Sequence, residues 1–346
     1  MTANYMTFAA FFLVCALLLM LPFVPAYQEW RHPSDVQALP VQANYSSDID
    51  HFARRLHADA TARLGQGPPT GFEDFDFVDF PEDQMEWSKA RKRLIARESI
   101  ETIEPISCET PLYVEGDLQC GSHSSFSAIY ATGNITLGHD SGVHDWAHAD
   151  GVLQMRPNSV ALRRVSAGVA IKLGKEVWFE RLQAPALRFG PAVQLQGSEP
   201  LRHAEAASYS DLPDAVEQTP LLFLIRGDCA LLPGKTYRGS LVVTGFLTVG
   251  AGTTVTGDVK AREGFSLGRD ACVEGAITCE KRIYIFKDAR ALGPLISETD
   301  VLIGAGAVIG LPDALTTVSA RNIIVEEGSV VHGAVWAHEI GMVKAA

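Results

Sequence analysis

Aliphatic residues recur through the second half of the chain at a fixed step of 18 residues. They form three columns, and a glycine column keeps the same step. The columns are Leu241, Val259, Ile277 and Leu295; Leu231, Val249, Leu267 and Ile285; Leu247, Phe265, Ile283 and Val301; and Gly239, Gly257, Gly275 and Gly293. Short repeats with aliphatic and glycine columns predict a solenoid in which each repeat is one coil of a β-helix.

A shorter step of six residues runs inside each repeat. From Val249 onward, small or aliphatic residues return at every sixth position as far as Ile303. Three sides of six residues predict a triangular coil, with inward residues stacked on their equivalents in the next coil. The register slips near Pro312, where we predict a four-residue insertion because the column that holds Val301 resumes only at Ile323.

The remainder of the chain divides by composition. Short apolar pieces bounded by Gly, Asp, Asn or Ser continue the strand pattern with a looser period in an earlier block, and a polar, proline-containing stretch separates the two blocks. The predicted organisation is a transmembrane anchor (1–27), a tether with short helices and a strand (28–107), a first β-helical block (108–192), a linker or insertion (193–220), a second β-helical block (221–340) and a tail (341–346).

The anchor prediction depends on residues 7–26, which carry no charge. About twenty apolar residues suffice to cross the hydrocarbon core as one helix. A cleaved signal peptide is the alternative, but no Lys or Arg precedes the apolar run. Because Arg31, Arg54 and Arg55 follow it, the positive-inside rule predicts a single-pass protein of the inner membrane with a cytoplasmic C-terminal domain.

Three segments of the tether have recognisable patterns. Residues 48–64 show helical apolar spacing. Residues 72–83 alternate Phe with Asp or Glu, which indicates either a docking peptide or an edge strand at one end of the solenoid, the latter being favoured. Residues 87–99 are basic and predict a helix that either contacts anionic lipid or pairs with the acidic stretch before it.

Charge and cysteine content exclude some functions. The chain has 346 residues and a formal net charge of −12, so it lacks the basic balance of a general nucleic-acid binder. Its six cysteines include no Cys-x-x-Cys pair, which argues against a zinc site and favours reduced core residues.

The richest polar cluster is the segment 138–151. His144, His148 and Asp150 are weak candidates for metal ligands. Strand alternation would place His144, Trp146 and His148 on one face, and the alternative is a surface strand with Trp146 as an aromatic anchor. The second interpretation is favoured, so we predict no metal and no cofactor.

The repeat region lacks the residue patterns that catalysis on a solenoid requires. Residues 231–331 contain no histidine, which disfavours a hexapeptide acyltransferase with a histidine base. The carboxylate pairs Asp258/Asp270 and Glu274/Asp288 are each separated by less than one repeat, so neither pair stacks. Glu263 and Lys281 are one full repeat apart and predict a cross-strand ion pair. We therefore predict no catalytic residue and no enzymatic activity.

The repeat GSLVVTGFLTVGAGTTVTGDVKAREGFSLG, and more broadly Gly239–Ile277, resembles the bactofilin family of polymer-forming bacterial cytoskeletal proteins. The resemblance covers residues 221–340 clearly and 108–190 loosely. It implies a right-handed β-helix without cofactor or catalysis, a scaffold whose partners are further copies of itself, the membrane and envelope-associated proteins. The alternative function is an extracytoplasmic β-helix enzyme or a carbohydrate-binding module.

Overall fold

The computed structural model describes residues 2–31, 48–65, 75–78, 86–191 and 205–345. Contacts divide the chain into one compact unit over Met1–Asp48 and a second over Ile49–Ala346. The second unit is a mostly-β solenoid of about 14 coils of about 18 residues each, which confirms the predicted β-helix. The right-handed sense of the coil stays a prediction.

The coils form two stacks. The first stack contains β1 (Phe75–Val78), β2 (Arg93–Ala96), β3 (Ile100–Glu101), β4 (Ser107–Cys108), β5 (Leu112–Val114), β6 (Leu118–Gln119), β7 (Ser125–Ala131), β8 (Ile135–Leu137), β9 (Gly142–Ala149), β10 (Val152–Met155), β11 (Val160–Ala167), β12 (Ala170–Leu173) and β13 (Trp178–Phe189).

The second stack begins beyond residue 204. It contains β14 (Glu205–Ala207), β15 (Ala215–Thr219), β16 (Leu222–Ile225), β17 (Cys229–Leu231), β18 (Lys235–Tyr237), β19 (Ser240–Val243), β20 (Phe246–Val249), β21 (Thr254–Val255), β22 (Val259–Ala261), β23 (Gly264–Leu267), β24 (Cys272–Val273), β25 (Ile277–Cys279), β26 (Ile283–Ile285), β27 (Arg290–Ala291), β28 (Leu295–Ser297), β29 (Asp300–Ile303), β30 (Val308–Ile309), β31 (Thr316–Glu326) and β32 (Val330–Lys344).

The predicted aliphatic columns face the interior of the second stack. Leu241 of β19 pairs in parallel register with Val259 of β22, and Val259 pairs with Ile277 of β25. All three are at most 1% exposed. The insertion is confirmed as well, because Val301 pairs with Ile323 across the slip. Each buried aliphatic side chain removes apolar surface from water and stabilises the fold by roughly 1.5–3 kcal/mol.

The glycine column exists because the backbones of successive coils approach closely at one corner. A Cβ at Gly257 would lie 2.3 Å from the carbonyl carbon of Gly239, and one at Gly275 would lie 2.6 Å from that of Gly257. Such distances leave no room for any side chain. Gly239 additionally has φ of +100°, a conformation that disfavours side chains.

A second corner places one residue of most coils in the left-handed backbone region. These residues are Gly, Asp, Asn, His or Glu, and glycine, asparagine, aspartate and histidine are the types that tolerate this conformation best. The column comprises His123, Asp140, Asn158, Glu176, Gly234, Gly252, Asp270, Asp288, Gly306 and Gly328. Asp270 and Asp288 are one repeat apart, a stacked carboxylate pair that sequence reasoning missed, and the turn conformation accounts for both.

The two stacks meet at their C-terminal ends. Strand β13, the last of the first stack, pairs antiparallel with β32, the last of the second, from Trp178↔Met342 to Arg188↔Val330. Each stack therefore covers the terminal strand edge that the other would otherwise expose.

The N-terminal unit contains helices α1 (Thr2–Met20) and α2 (Phe23–Arg31). The predicted membrane span is wrong: none of the described helices combines the length and the apolar character that a membrane crossing requires. Residues 7–26 are divided at the turn Leu21–Pro22, because proline interrupts helical hydrogen bonding. The portion within α1, residues 7–20, rises only about 21 Å, less than the ~30 Å hydrocarbon core. The predicted single-pass placement in the inner membrane, with a cytoplasmic C-terminal domain, is overturned with it.

The predictions for the tether meet mixed outcomes. Residues 32–47 lie outside the described residues. Helix α3 (His51–Leu64) confirms the helical pattern. The acidic–aromatic segment provides strand β1, which pairs in parallel with β2.

The predicted helix over 87–99 is wrong. A short 3-10 turn over Trp87–Lys89 leads into β2, because Leu94 and Ala96 enter the inward columns beside Leu112 and Val114. Pairing in the stack thus overrides local helical preference. The predicted ionic contact with the acidic stretch is present as Lys92 Nζ to Asp76 Oδ1 at 3.1 Å.

Candidate functional site

The weak metal candidates do not converge. Strand β9 turns a corner at His144 and Asp145, since its pairing with β7 shifts register at this point. His144 Nε2 lies 3.0 Å from Ser125 Oγ, whereas His148 contacts Ser166 and Asp150. Strand alternation is interrupted at the corner, because His144 and Asp145 are both exposed. Within the ranges that the structure describes, no group of three His, Cys, Asp or Glu side chains is placed to hold a metal ion.

His148 instead belongs to an aromatic ladder on the outside of the first stack. Tyr113, Tyr130 and His148 are register neighbours on β5, β7 and β9. The two tyrosine rings stack at 5.3 Å, and Tyr130 lies 5.2 Å from His148. His57 of α3 stacks on Tyr130 at 4.9 Å, so the helix covers this ladder.

The apolar side of α3 completes the cover. Ala53, Leu56 and Ala60 are buried against the outward side chains Ile95 and Tyr113 of the stack. Arg93 ties the helix to the stack from outside, with Nη1 at 2.7 Å from Asp59 Oδ2. The helix thus removes from water an apolar strip that a bare β-helix would expose.

Polar atoms under this helix form a continuous chain. Tyr130 donates to Asp150 Oδ1 at 2.7 Å, His148 Nε2 lies 3.2 Å from the same oxygen, and His148 Nδ1 lies 2.7 Å from Ser166 Oγ. A serine, a histidine and an aspartate in line have the residue types of a nucleophilic triad. Ser166 is only 5% exposed, so no substrate reaches its hydroxyl in this conformation.

Burial controls the protonation of this chain. It lowers the pKa of His148 below 6.5, against the opposing effect of Asp150. It raises the pKa of Tyr130, an effect to which the hydrogen bond with Asp150 adds. At neutral pH the cluster therefore combines a neutral imidazole with protonated phenols, and its hydrogen bonds fix the helix on the stack.

The cysteines of the described residues are free thiols. Burial raises the pKa of Cys229 and of Cys272 to about 11. A thiol with such a pKa is overwhelmingly protonated at neutral pH and is a poor nucleophile.

The outer end of the second stack is closed by a different device. Tyr209, 1% exposed, covers the first coil and packs on Tyr237 and Phe223, each at 5.1 Å between ring centroids. Strand β15 then pairs antiparallel with β16. Four of the five residues of β15 are exposed.

The turn between β15 and β16 exposes an apolar side chain in a costly conformation. Leu221 has φ of +65° and is 61% exposed. Glycine or asparagine is the usual choice at such a position of a two-residue hairpin turn. Val216 of β15 is 54% exposed in the same hairpin. The hairpin at the end of the second stack therefore exposes two apolar side chains, one on its outer strand and one at its turn.

Sequence reasoning singled out none of the residues Tyr130, Ser166 and Leu221. Tyr130 lies 18 residues before His148 and Ser166 lies 18 residues after it. A comparison at the repeat step, extended into the looser first block, would therefore have found both. Leu221 follows Pro220 between two short strand patterns, which is itself a turn signal.

No family model, curated protein or solved structure matches the chain.

Proposed function

We propose that the chain is a structural scaffold of the bactofilin kind, which associates with further copies of itself through the outer end of the second stack. The observation that carries the proposal is Leu221, an exposed leucine held in a left-handed turn. A side chain that costs conformational energy and exposes apolar surface is accounted for if a second copy covers it.

The arrangement of the two stacks supports the same function. Within the chain, two stack ends already associate through β13 and β32, so the coils provide matching edges for end-to-end pairing. The paired ends are both C-terminal, which leaves the N-terminal ends outermost. A contact through β15 of two copies would be isologous, the same surface meeting itself about a two-fold axis.

Sedimentation velocity of the full chain over a range of concentrations, with negative-stain electron microscopy, tests the proposal. We expect dimers or longer assemblies for the wild type. Leu221→Asn should shift association at least about tenfold to higher concentration, since it removes roughly one buried leucine per copy. Asparagine tolerates the left-handed conformation, so the variant should fold at least as well.

Leu315→Asn is the matched control. Leu315 is 57% exposed but lies in the insertion on the side of the stack, so its replacement should leave association unchanged. A wild type that stays monomeric at high concentration would overturn the proposal. So would equal association of the wild type and a Val216→Lys/Leu221→Asn double variant.

A further inference from the structure

Two arginines lie side by side on the outer face of the first stack, where it joins the second. Arg164 of β11 and Arg181 of β13 are direct register partners, one strand spacing or about 4.8 Å apart. Trp146 of β9 precedes Arg164, and Trp336 of β32 follows Arg181. We call these four residues the Trp–Arg ladder.

Aromatic rings hold both guanidinium groups in place. Arg164 Cζ lies 5.0 Å from the ring centroid of Phe52 on α3, and Arg181 Cζ lies 4.4 Å from that of Trp336. These cation–π contacts restrict the positions of both guanidinium groups. The N–H donors of each group form a planar fork whose geometry suits the oxygens of a phosphate.

The ladder lines a groove of about 710 Å³ with an excess of positive charge. Arg163, Arg164 and Arg181 face it together with Asp145 and Glu180. Asp145 lies 3.8 Å from Arg163, which partly balances that pair. Burial, together with the charge of Arg164, lowers the pKa of Arg181, so the two neighbouring cations repel each other across the ladder.

We propose that this groove binds a phosphate group of a monoester or diester between Arg164 and Arg181. A phosphate presents enough oxygens to accept bidentate hydrogen bonds from two guanidinium groups at once. The anion removes the repulsion between the arginines, and Trp146 gives the organic part of the ligand an apolar ring to pack on.

The location gives the ligand a second effect. Trp336, which holds Arg181, belongs to the last strand of the second stack, whereas the arginines belong to the first. The site is complete only where the two stacks are joined. Ligand binding therefore stabilises the junction by mass action.

Titration calorimetry of the full chain with inorganic phosphate and with glucose 6-phosphate tests soluble sources of the group. Cosedimentation with phosphatidylcholine vesicles, with and without phosphatidylglycerol, tests a lipid source. We expect saturable binding to at least one probe. Arg164→Gln and Arg181→Gln should each weaken it by about tenfold or more, since each removes charge-assisted hydrogen bonds.

Arg262→Gln is the matched control, because Arg262 is exposed on the second stack and pairs with Glu280 at 3.2 Å. It should bind like the wild type. Arg181→Lys keeps the charge but loses the planar fork, and it should bind several-fold more weakly while preserving the fold, as monitored by thermal unfolding. Absence of binding to all probes overturns the proposal, as does wild-type affinity in the folded Arg164 and Arg181 variants.

Discussion

The two stacks share one architecture, but the buried backbone N–H groups at the left-handed corner have different hydrogen-bond partners in each. Immediately after the left-handed residue, the first stack places serine in three of four coils, and the second stack places alanine in three of six. In the first, the N–H of Ser124 donates to Ser141 Oγ, and that of Ser141 to Ser159 Oγ, both at 3.2 Å. In the second, the N–H of Ala289 donates to the carbonyl of Phe286 within the same turn.

This difference teaches that a buried backbone donor needs a partner, not a particular residue. In the first stack, a serine oxygen from the next coil accepts the hydrogen bond. In the second stack, a carbonyl oxygen of the same turn accepts it. The second stack keeps the full repeat step at Val259↔Ile277, whereas the first pairs Leu112 with Ile129, one position short of it. The two stacks also differ on their outer surfaces. Helix α3 covers the first stack, whereas among the described residues the second stack has no α-helix on it and only the 3-10 turn Tyr209–Asp211 packs against its first coil.

The largest effect should come from the glycine corner of the second stack. Gly257→Ala places a methyl group against the backbone of Gly239, which cannot move without shifting a coil. We expect a loss of about 3 kcal/mol in the free energy of unfolding, measured with denaturant.

Two control substitutions should cost less than Gly257→Ala. Gly234 has φ of +67°, but a Cβ added to it would meet nothing within 4 Å, so Gly234→Ala should cost about 1 kcal/mol. In the first stack, the atom nearest a Cβ of Gly151 belongs to the side chain of Asn134, so Gly151→Ala should fall between. Equal losses at Gly257 and Gly151 would show that a clash with backbone costs no more than a clash with a side chain.

The serine corner of the first stack should give the next largest effect. Ser141→Ala removes the acceptor for the buried N–H of Ser124 and should cost about 2 kcal/mol in denaturant unfolding. Ser127→Ala removes an exposed hydroxyl bonded to Asp145 at 2.9 Å and should cost under about 0.5 kcal/mol. A loss of stability at Ser141 no greater than that at Ser127 would mean that the N–H of Ser124 finds an acceptor within its own turn, as the N–H of Ala289 does in the second stack.

The aromatic ladder of Tyr113, Tyr130 and His148 under α3 should make the free energy of unfolding depend on pH. Because burial lowers the pKa of His148, the unfolded chain binds its proton more readily as the pH falls below 6.5. Acidification from about pH 7.5 to about 5.5 should therefore destabilise the fold, with at most about 1.4 kcal/mol per pH unit from this single group.

The contribution can be isolated by comparison. Thermal unfolding of His148→Gln should vary less with pH than that of the wild type, while His144→Gln, at an exposed corner, should follow the wild type. Asp150, His57 and Arg54 also act on His148, and all three side chains are present in both variants. Parallel pH profiles of the wild type and His148→Gln would contradict the assignment.

The smallest effect should come from the ion pair between Glu263 and Lys281 on the second stack. Both side chains are about half exposed, so Lys281→Ala should cost less than about 0.5 kcal/mol. The difference from the wild type should vanish in about 1 M salt, where charges are screened within about 3 Å. A loss that persists in high salt would point to packing of the lysine stem instead.

The second stack was predictable almost residue by residue, since its inward columns repeat at a constant step. Even the slip near Pro312 was predictable, because Val301 and Ile323 keep their aliphatic character across it. The first stack was predicted only loosely. Its coils vary in length, so equivalent inward residues do not recur at one constant spacing. Helix α3 was visible from its apolar spacing, but its docking on Tyr113 and Tyr130 was not.

Features that depend on distant pairing escaped sequence reasoning. The Trp–Arg ladder joins residues 146, 164, 181 and 336, and nothing local marks Trp336 as a neighbour of Arg181. The junction of β13 and β32 brings together strands that are far apart in the sequence and run in opposite directions. A repeat pattern specifies how each coil follows the last, but it does not specify which end of one stack meets another.

The junction of β13 and β32 also forms late in synthesis, because its two strands are far apart in the sequence. Strand β13 emerges from the ribosome about 150 residues before β32 is complete, a delay of roughly 8–30 s at about 5–20 residues per second. Throughout this interval the nascent first stack presents a bare strand edge with no mate from its own chain. Neighbouring chains on the same message carry the same edge, so the pace of translation would govern how often the wrong partner arrives first.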